Sequence, residues 1–490
     1  MENIYRDDSL ALHTDLYQIN MVETYWADGM HERKAVFDLY FRTLPFESGY
    51  GIFAGLERII QYVEAFRFTE SDLAYLREEA GYAEDFLSYL KTVRFTGTIR
   101  ALREGELVFH NEPMLRVEAP LAEAQLLETA LLNIVNYQTL IATKASRLRQ
   151  VAGEDRLMEF GTRRAHEFDA AIWGTRAAYI GGFDATSNVR AGKMFGIPAA
   201  GTHAHALVQA YQDDCTAFRK YARRHKDCTF LVDTYDTLKS GVPAAIAVAK
   251  ELGDTINFAA IRLDSGDLAR LSKEARAMLD AAGFIHTKII ASNDLDEHTI
   301  ASLKMQEAKI DAWGVGTKVI TAYDQPALGA VYKLVAIENE AGRMVDTIKI
   351  SSNPAKVTTP GLKRVYRIIN SVNQHAEGDY IALAHEDPQQ EPRLHMFHPD
   401  YPHIGKVVTN FEVRELHTDI YRDGQLVYAI PSVHEAKAFV QQNLTYLWEE
   451  YTRIMNPQEY PVDLSQTCWD NKMRHIAEVQ AKVKKGQTMT

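Results

Sequence analysis

The sequence predicts an irregular α/β barrel with a flanking α+β domain, and three observations predict it. From about residue 155 onward, short apolar runs end in polar or glycine-rich tips. The tips lie near 161, 182, 201, 233, 264, 292 and 316, at spacings of 21, 19, 32, 31, 28 and 24 residues. Helical patterns separate most of them; Leu268, Leu271, Ala275 and Met278 share one helix face. Both ends of the chain instead read as strand-rich. Serial βα units gather their chemistry at strand C-termini, as parallel barrels do. Roughly 180 residues is short for a full eightfold barrel, so an irregular one is expected. An open doubly wound sheet is the alternative.

The elements follow in order. Thr14 or Asp15 can cap a helix through Leu16, Ile19 and Trp26, which puts Tyr17 in its first turn. Phe37, Leu39 and Phe41 alternate with Asp38 and Arg42, the pattern of a half-buried strand. Helices near 53–66 and 71–91 and strands around 98–102 and 106–118 come next. Pro120 suits a first helical position, and 121–150 reads as helix, whole or broken. After the βα segment, Tyr332 to Ile337 reads as one more strand. Val365 to Ile369 and Asp379 to Leu383 are strand-like, a polar loop spans Glu386 to Arg393, and helices near 433–453 and 466–485 close the chain. The expected divisions are 1–150, 151–345 and 346–490.

Composition narrows the function classes. With 54 Lys and Arg against 66 Asp and Glu, the net charge is −12, so the average field repels nucleic acid and anionic membrane. Three cysteines with no CxxC pair argue against a disulfide framework and a cysteine zinc site. No apolar run is long enough to span a bilayer. The opening Met-Glu-Asn-Ile-Tyr-Arg-Asp-Asp is polar and acidic, unlike a signal peptide. A reducing, cytoplasmic setting is expected.

The tips carry the candidate chemistry. Gly201-Thr202-His203-Ala204-His205 follows the apolar run from Phe195 to Ala200. It opens a helix whose face is Leu207, Tyr211, Cys215, Phe218 and Ala222. Such a turn sets a hydroxyl and two imidazoles beside backbone N–H groups that attract anions. Arg163, Arg164, Arg262 and Lys318 lie at or beside tips, and arginine suits a carboxylate or phosphate. Singly, each reads as a surface ion pair. Gly314-Val315-Gly316-Thr317 can cradle a phosphate, although it completes neither GxGxxG nor a Walker A motif. Asp264 and Asp267 can serve sugar hydroxyls or hydrated Mg2+, or equally cap the next helix. On a strand, His203 and His205 would point to one face, and with Asp233 and Asp236 a metal-dependent barrel hydrolase is a rival. Alternatively, neutral His205 can accept a phosphoryl group.

Taken together, these segments resemble the nicotinate phosphoribosyltransferases over nearly the whole chain. Carrying the resemblance are Thr14-Asp15-Leu16-Tyr17-Gln18, Phe160-Gly161-Thr162-Arg163-Arg164-Ala165 and Gly201-Thr202-His203-Ala204-His205. Arg262-Leu263-Asp264-Ser265-Gly266-Asp267, Gly314-Val315-Gly316-Thr317 and Lys356-Val357-Thr358-Thr359-Pro360-Gly361 complete it. The resemblance implies the type II phosphoribosyltransferase fold, with the N- and C-terminal parts packed together, and a homodimer. It implies that nicotinate and 5-phosphoribosyl 1-pyrophosphate give nicotinate mononucleotide and pyrophosphate in NAD salvage, coupled to hydrolysis of ATP. By motif match, His205 is the transiently phosphorylated histidine and Tyr17, Thr202 and Arg262 contact nicotinate. Thr358 and Arg163 contact the phosphoribosyl donor, and motif form and chemistry assign Gly316 and Thr317 to its 5-phosphate. His203 falls at a variable place in the Gly-Thr-x-Ala-His pattern. Mg2+ is expected at the leaving pyrophosphate, with its ligands unassigned. Nicotinamide or quinolinate as the base, and a sensor that binds NAD precursors without turnover, are further alternatives.

Overall fold

The computed structural model describes residues 9–353 and 356–484. The polar opening octapeptide and the last residues, expected to fray, lie outside the described residues. The chain forms two units, one of 1–139, 327–431 and 438–490, the other of 140–326 with 432–437. These limits stand beside expected divisions at 150 and 345. The first falls inside the helix Glu128–Ala152.

The first unit draws on both ends of the chain. Its seven-stranded sheet runs, in spatial order, Met344–Asp346, Ala330–Glu338, Lys34–Phe41, Leu115–Pro120, Thr98–Leu102, His417–Arg422 and Gln425–Leu426. The Tyr332–Ile337 run is therefore a strand, but not of the barrel: Ala330–Glu338 pairs antiparallel with Lys34–Phe41. Only the partner strand, some 300 residues earlier by sequence register, distinguishes the two outcomes. Lys34–Phe41 is also not half-buried. It has a neighbour on each side, and all but its first residue are buried. Asp38 can be buried because Arg116 Nε donates to its Oδ1 at 2.9 Å and Lys363 Nζ lies 2.9 Å from Oδ2.

A second sheet of this unit orders Phe411–Glu415, Lys363–Asn370, Ala376–Leu383 and Val462–Leu464. At its core Arg367, 0% exposed, donates to both oxygens of Asp379 at 2.8 and 2.7 Å and to Glu106 at 2.7 Å. The expected helix 71–91 is two helices, Glu70–Glu78 and Glu84–Thr92, the first closed by a capping box of Thr69 and Asp72. Pro120 is the N-cap, one position earlier than expected, before Leu121–Leu126 and Glu128–Ala152.

The second unit is the α/β barrel. Its strands are β1 (Arg156–Glu159), β2 (Ala185–Thr186), β3 (Asp227–Leu231), β4 (Asn257–Leu263), β5 (Lys288–Ala291) and β6 (Ala312–Val315). All pairings are parallel, in the spatial order β2-β1-β6-β5-β4-β3. The last strand lies beside the first, as closure of a barrel requires, and the ring is open between β2 and β3. The chain from 199 to 203 bridges that opening. Ala199 pairs with Thr186 at one edge, and at the other Leu231 N donates to His203 Nε2 at 3.2 Å.

Two sequence expectations fail at this opening. Phe195 to Ala200 is no strand: Phe195 ends a helix, Gly196 adopts left-handed φ, and one isolated bridge remains. The helix after His205 is two helices, His205–Tyr211 and Asp214–Ala222, because Gln212 turns left-handed and Asp213 caps the second. The tip at Gly181-Gly182 also differs. It closes the helix Glu167–Ile180 and precedes β2, so it sits at the strand's N-terminal end. Gly182 takes φ 124°, which favours glycine.

Candidate active site

The C-terminal ends of the barrel strands bring one cluster together. Arg262, next to last in β4, is held from three directions. Its Nε donates to Ser292 Oγ at 2.7 Å, Nη1 to Thr202 Oγ1 at 3.2 Å and Nη2 to Asp264 Oδ1 at 2.8 Å. Its guanidinium lies 5.6 Å from the Phe160 ring centre. Ser292, just past β5, donates in turn to Asp264 Oδ1. Burial works to raise the Asp264 pKa, but the Ser292 hydroxyl and the Arg262 charge hold it below the ordinary carboxylate range. A planar, hydrogen-bonded arginine at the end of a strand is a preorganised site for a carboxylate or phosphate.

His205 stands beside this cluster with its side chain 39% exposed. Nδ1 is 3.1 Å from Thr234 Oγ1. Nε2 is 3.8 Å from both Asp233 Oδ1 and Asp264 Oδ2. Asp233 Oδ2 accepts from Asp264 N at 2.9 Å and Ser265 Oγ at 2.6 Å. Its Oδ1 is buried with no hydrogen-bond partner among the described residues. The histidine is thus oriented between a hydroxyl and two carboxylates while its ring stays open to solvent.

His203 does something else. Its Nε2 accepts from Leu231 N, its Nδ1 lies 3.3 Å from Ala204 O, and its ring packs on Tyr221 with centroids 5.1 Å apart. Burial, aided by the charges of Arg262 and His205, pushes its pKa below the ordinary histidine range. The expected H-x-H face does not form because the segment is a turn, not a strand. Both His203 nitrogens are engaged, which removes the pair as metal ligands. Among the described residues no group of three or more His, Cys, Asp or Glu could hold a metal.

Two clefts meet at Phe160, Arg163 and Arg262. One, of 290 Å³, also borders Thr202 and Ser187; the other, of 200 Å³, also borders Arg164, Asp294, Gly316 and Thr317. Arg163 and Arg164 are exposed on a short turn, Thr162–Arg164. Gly316 precedes the single helical turn Thr317–Ile320. Lys318 turns elsewhere, its ammonium 3.2 Å from the Tyr323 ring centre. Asp267 is a cap, accepting from Arg270 N at 3.0 Å. Tyr17 and Thr358 belong to the first unit. Tyr17, 50% exposed, lies in the first turn of Leu16–Ala27, behind Asp15. Thr358 is buried, its Oγ1 accepting from Lys349 N at 2.9 Å. Sequence reasoning assigned no role to Phe160, Ser292 or Thr234. Their position at or just past a strand end was the available signal.

Three family models match the chain. The nicotinate phosphoribosyltransferase N-terminal domain matches 12–136, the nicotinate phosphoribosyltransferase family 156–367 and the C-terminal domain 362–472. The chain is similar to the nicotinate phosphoribosyltransferase of Bacillus subtilis strain 168, 67% identical over 99% of this chain and 98% of that one. It is 36% identical to that of Caenorhabditis elegans over 94% and 93%. Among solved structures, human nicotinic acid phosphoribosyltransferase superposes with a TM-score of 0.83 at 31% identity, over 94% of this chain and 99% of that one. Nicotinate-nucleotide pyrophosphorylase from Pyrococcus furiosus does so with 0.68 at 25%, over 91% and 97%.

Proposed function

We infer the reaction from one premise: the chain belongs to the nicotinate phosphoribosyltransferase family. It is an enzyme of NAD biosynthesis that transfers a phosphoribosyl group to nicotinate. The ring nitrogen of nicotinate forms a bond to C1 of 5-phosphoribosyl 1-pyrophosphate. The bond from C1 to pyrophosphate breaks, and its electron pair leaves with pyrophosphate. What supports placing this chemistry in the barrel is the cluster of Arg262 at the end of β4 with Thr202 and His205 of the turn that bridges β2 and β3. Arg262 and Thr202 suit the nicotinate carboxylate. Arg163, Gly316 and Thr317 suit the phosphates of the donor. Tyr17 and Thr358 are assigned to nicotinate and the donor on the family's motifs.

The finer reading is that ATP drives the reaction through a phosphohistidine. A lone pair of the His205 imidazole attacks the γ-phosphorus, ADP leaves, and water later takes the phosphoryl group as phosphate. Thr234, Asp233 and Asp264 keep the ring in one orientation for that attack. The added charge beside the clefts then biases donor binding and pyrophosphate release. Asp233 and Asp264 fit Mg2+, since Asp233 Oδ1 is buried without a donor and Mg2+ takes one or two carboxylates plus substrate phosphates. Bound there, Mg2+ would neutralise phosphate charge. A cytoplasmic homodimer is part of this reading; all three cysteines are free, and no helix among the described residues is long and apolar enough to cross a membrane. The relatives' names favour nicotinate over nicotinamide or quinolinate.

Labelling with ATP carrying a γ-phosphate tag tests the phosphohistidine. The protein is expected to take up label that survives base and is lost in acid. His205→Ala should take up none; equal labelling of that variant would refute the assignment.

A further inference from the structure

The acid at the end of β1 is absent from the chemistry above. Glu159 is 1% exposed and makes no ion pair among the described residues. Instead it joins four pieces of the barrel. Its Oε2 lies within hydrogen-bond reach of the Thr186 hydroxyl at 2.7 Å and of the Thr175 hydroxyl at 2.9 Å. Thr186 ends β2, and Thr175 lies in the helix Glu167–Ile180. Its Oε1 accepts from Gly161 N. Gly161 O then accepts from Arg164 N at 2.7 Å and Ala165 N at 3.1 Å, which closes the turn that carries Arg163 and Arg164. Gly161 has no room for a side chain: a Cβ there would lie 2.7 Å from Ile320 and 2.8 Å from Glu159 Oε1. Ile320 ends the helical turn that Thr317 begins. One buried carboxyl thus fixes the backbone from which two cleft arginines project, against the segment that carries Gly316 and Thr317.

We propose that Glu159 is a positioning residue for donor binding: through Gly161 it sets the Thr162–Arg164 turn and so aims Arg163 at the phosphates of 5-phosphoribosyl 1-pyrophosphate. The inference rests on the phosphoribosyltransferase reading above. A buried carboxyl without a cation is costly. A hydrophobic residue would fill the space, but it would leave Gly161 N–H without an acceptor and the turn without an anchor.

Steady-state kinetics of Glu159→Leu, Glu159→Gln, Arg163→Ala and the Glu159→Leu/Arg163→Ala double variant decide it. Glu159→Leu should raise the KM for the donor about 10-fold with kcat nearly unchanged. Glu159→Gln keeps an acceptor for Gly161 N–H and should restore KM to within about 3-fold of the parent. In the double variant the Leu substitution should add nothing to Arg163→Ala, since both act on the same contact. If Glu159→Leu fails to fold, Gly161→Ala, which pushes the turn off the carboxyl, should raise the same KM. A normal donor KM in Glu159→Leu, or full additivity with Arg163→Ala, overturns the positioning role and leaves the enzyme assignment standing. An Arg163→Ala variant with unchanged donor KM overturns both the role and the placement of the donor.

Discussion

The two units use buried charge in opposite ways. In the first, Arg367 donates to Asp379, Glu106 and the Leu107 carbonyl. These groups are closed on one another and excluded from water. In the barrel, Arg262 is fixed just as firmly, yet it borders both clefts. Asp233 keeps an oxygen without a donor, and His205 keeps its ring exposed. The first arrangement specifies packing. The second is preorganised and unfinished, as a site awaiting charged ligands should be. The number of ion pairs does not separate them; what each polar atom has left to bond does.

That contrast breaks or holds under substitution. Arg367→Met should leave Asp379 buried without its cation and Glu106 with Arg414 alone, and lower stability by about 3–5 kcal/mol, read by denaturant unfolding. Arg262→Lys should change stability by less than about 1 kcal/mol yet lower kcat/KM for nicotinate about 10- to 100-fold, because a point charge cannot reach Ser292, Thr202 and Asp264 together. If the two variants exchanged these effects, the division between packing charge and binding charge would be wrong.

A smaller effect sharpens the same contrast by pH. Burial, then the Arg116 charge, pushes His417 in the first unit down to about 3, and its Nε2 bonds Pro113 O at 2.6 Å. In the unfolded chain a histidine protonates near 6.5. Above that value both states are neutral and the group contributes no pH dependence. Between about 6.5 and 3 only the unfolded state binds the proton, so stability falls as pH falls, by up to about 1.4 kcal/mol per pH unit. His417→Gln should flatten the stability profile over that window; an unchanged slope would contradict the neutral, buried histidine.

The sequence carried the barrel because βα rhythm is local: each apolar run and its polar tip report one strand end. It carried the family motifs for the same reason. What it hid was non-local. Asp38 looked like the polar face of a half-buried strand because its partners, Arg116 and Lys363, lie far along the chain. Tyr332–Ile337 looked like another barrel strand because strand propensity names no partner. His203 looked like half of a metal pair. Only the break between β2 and β3 shows that its ring covers the free edge of β3, as a neighbouring strand would. Ser292 gave no signal beyond its place at a tip, since its role is to hold Arg262. Thr202, Arg262 and His205 do meet at one cluster, whereas Tyr17 and Thr358 lie in the other unit.

The most direct measurement is pyrophosphate release from 5-phosphoribosyl 1-pyrophosphate with Mg2+. Nicotinate, nicotinamide and quinolinate would be supplied in turn, with and without ATP, to the parent and to His205→Ala. The account predicts release with nicotinate, raised by ATP in the parent and indifferent to ATP in the variant. Release favouring another base, or ATP stimulation that survives the loss of His205, would contradict it.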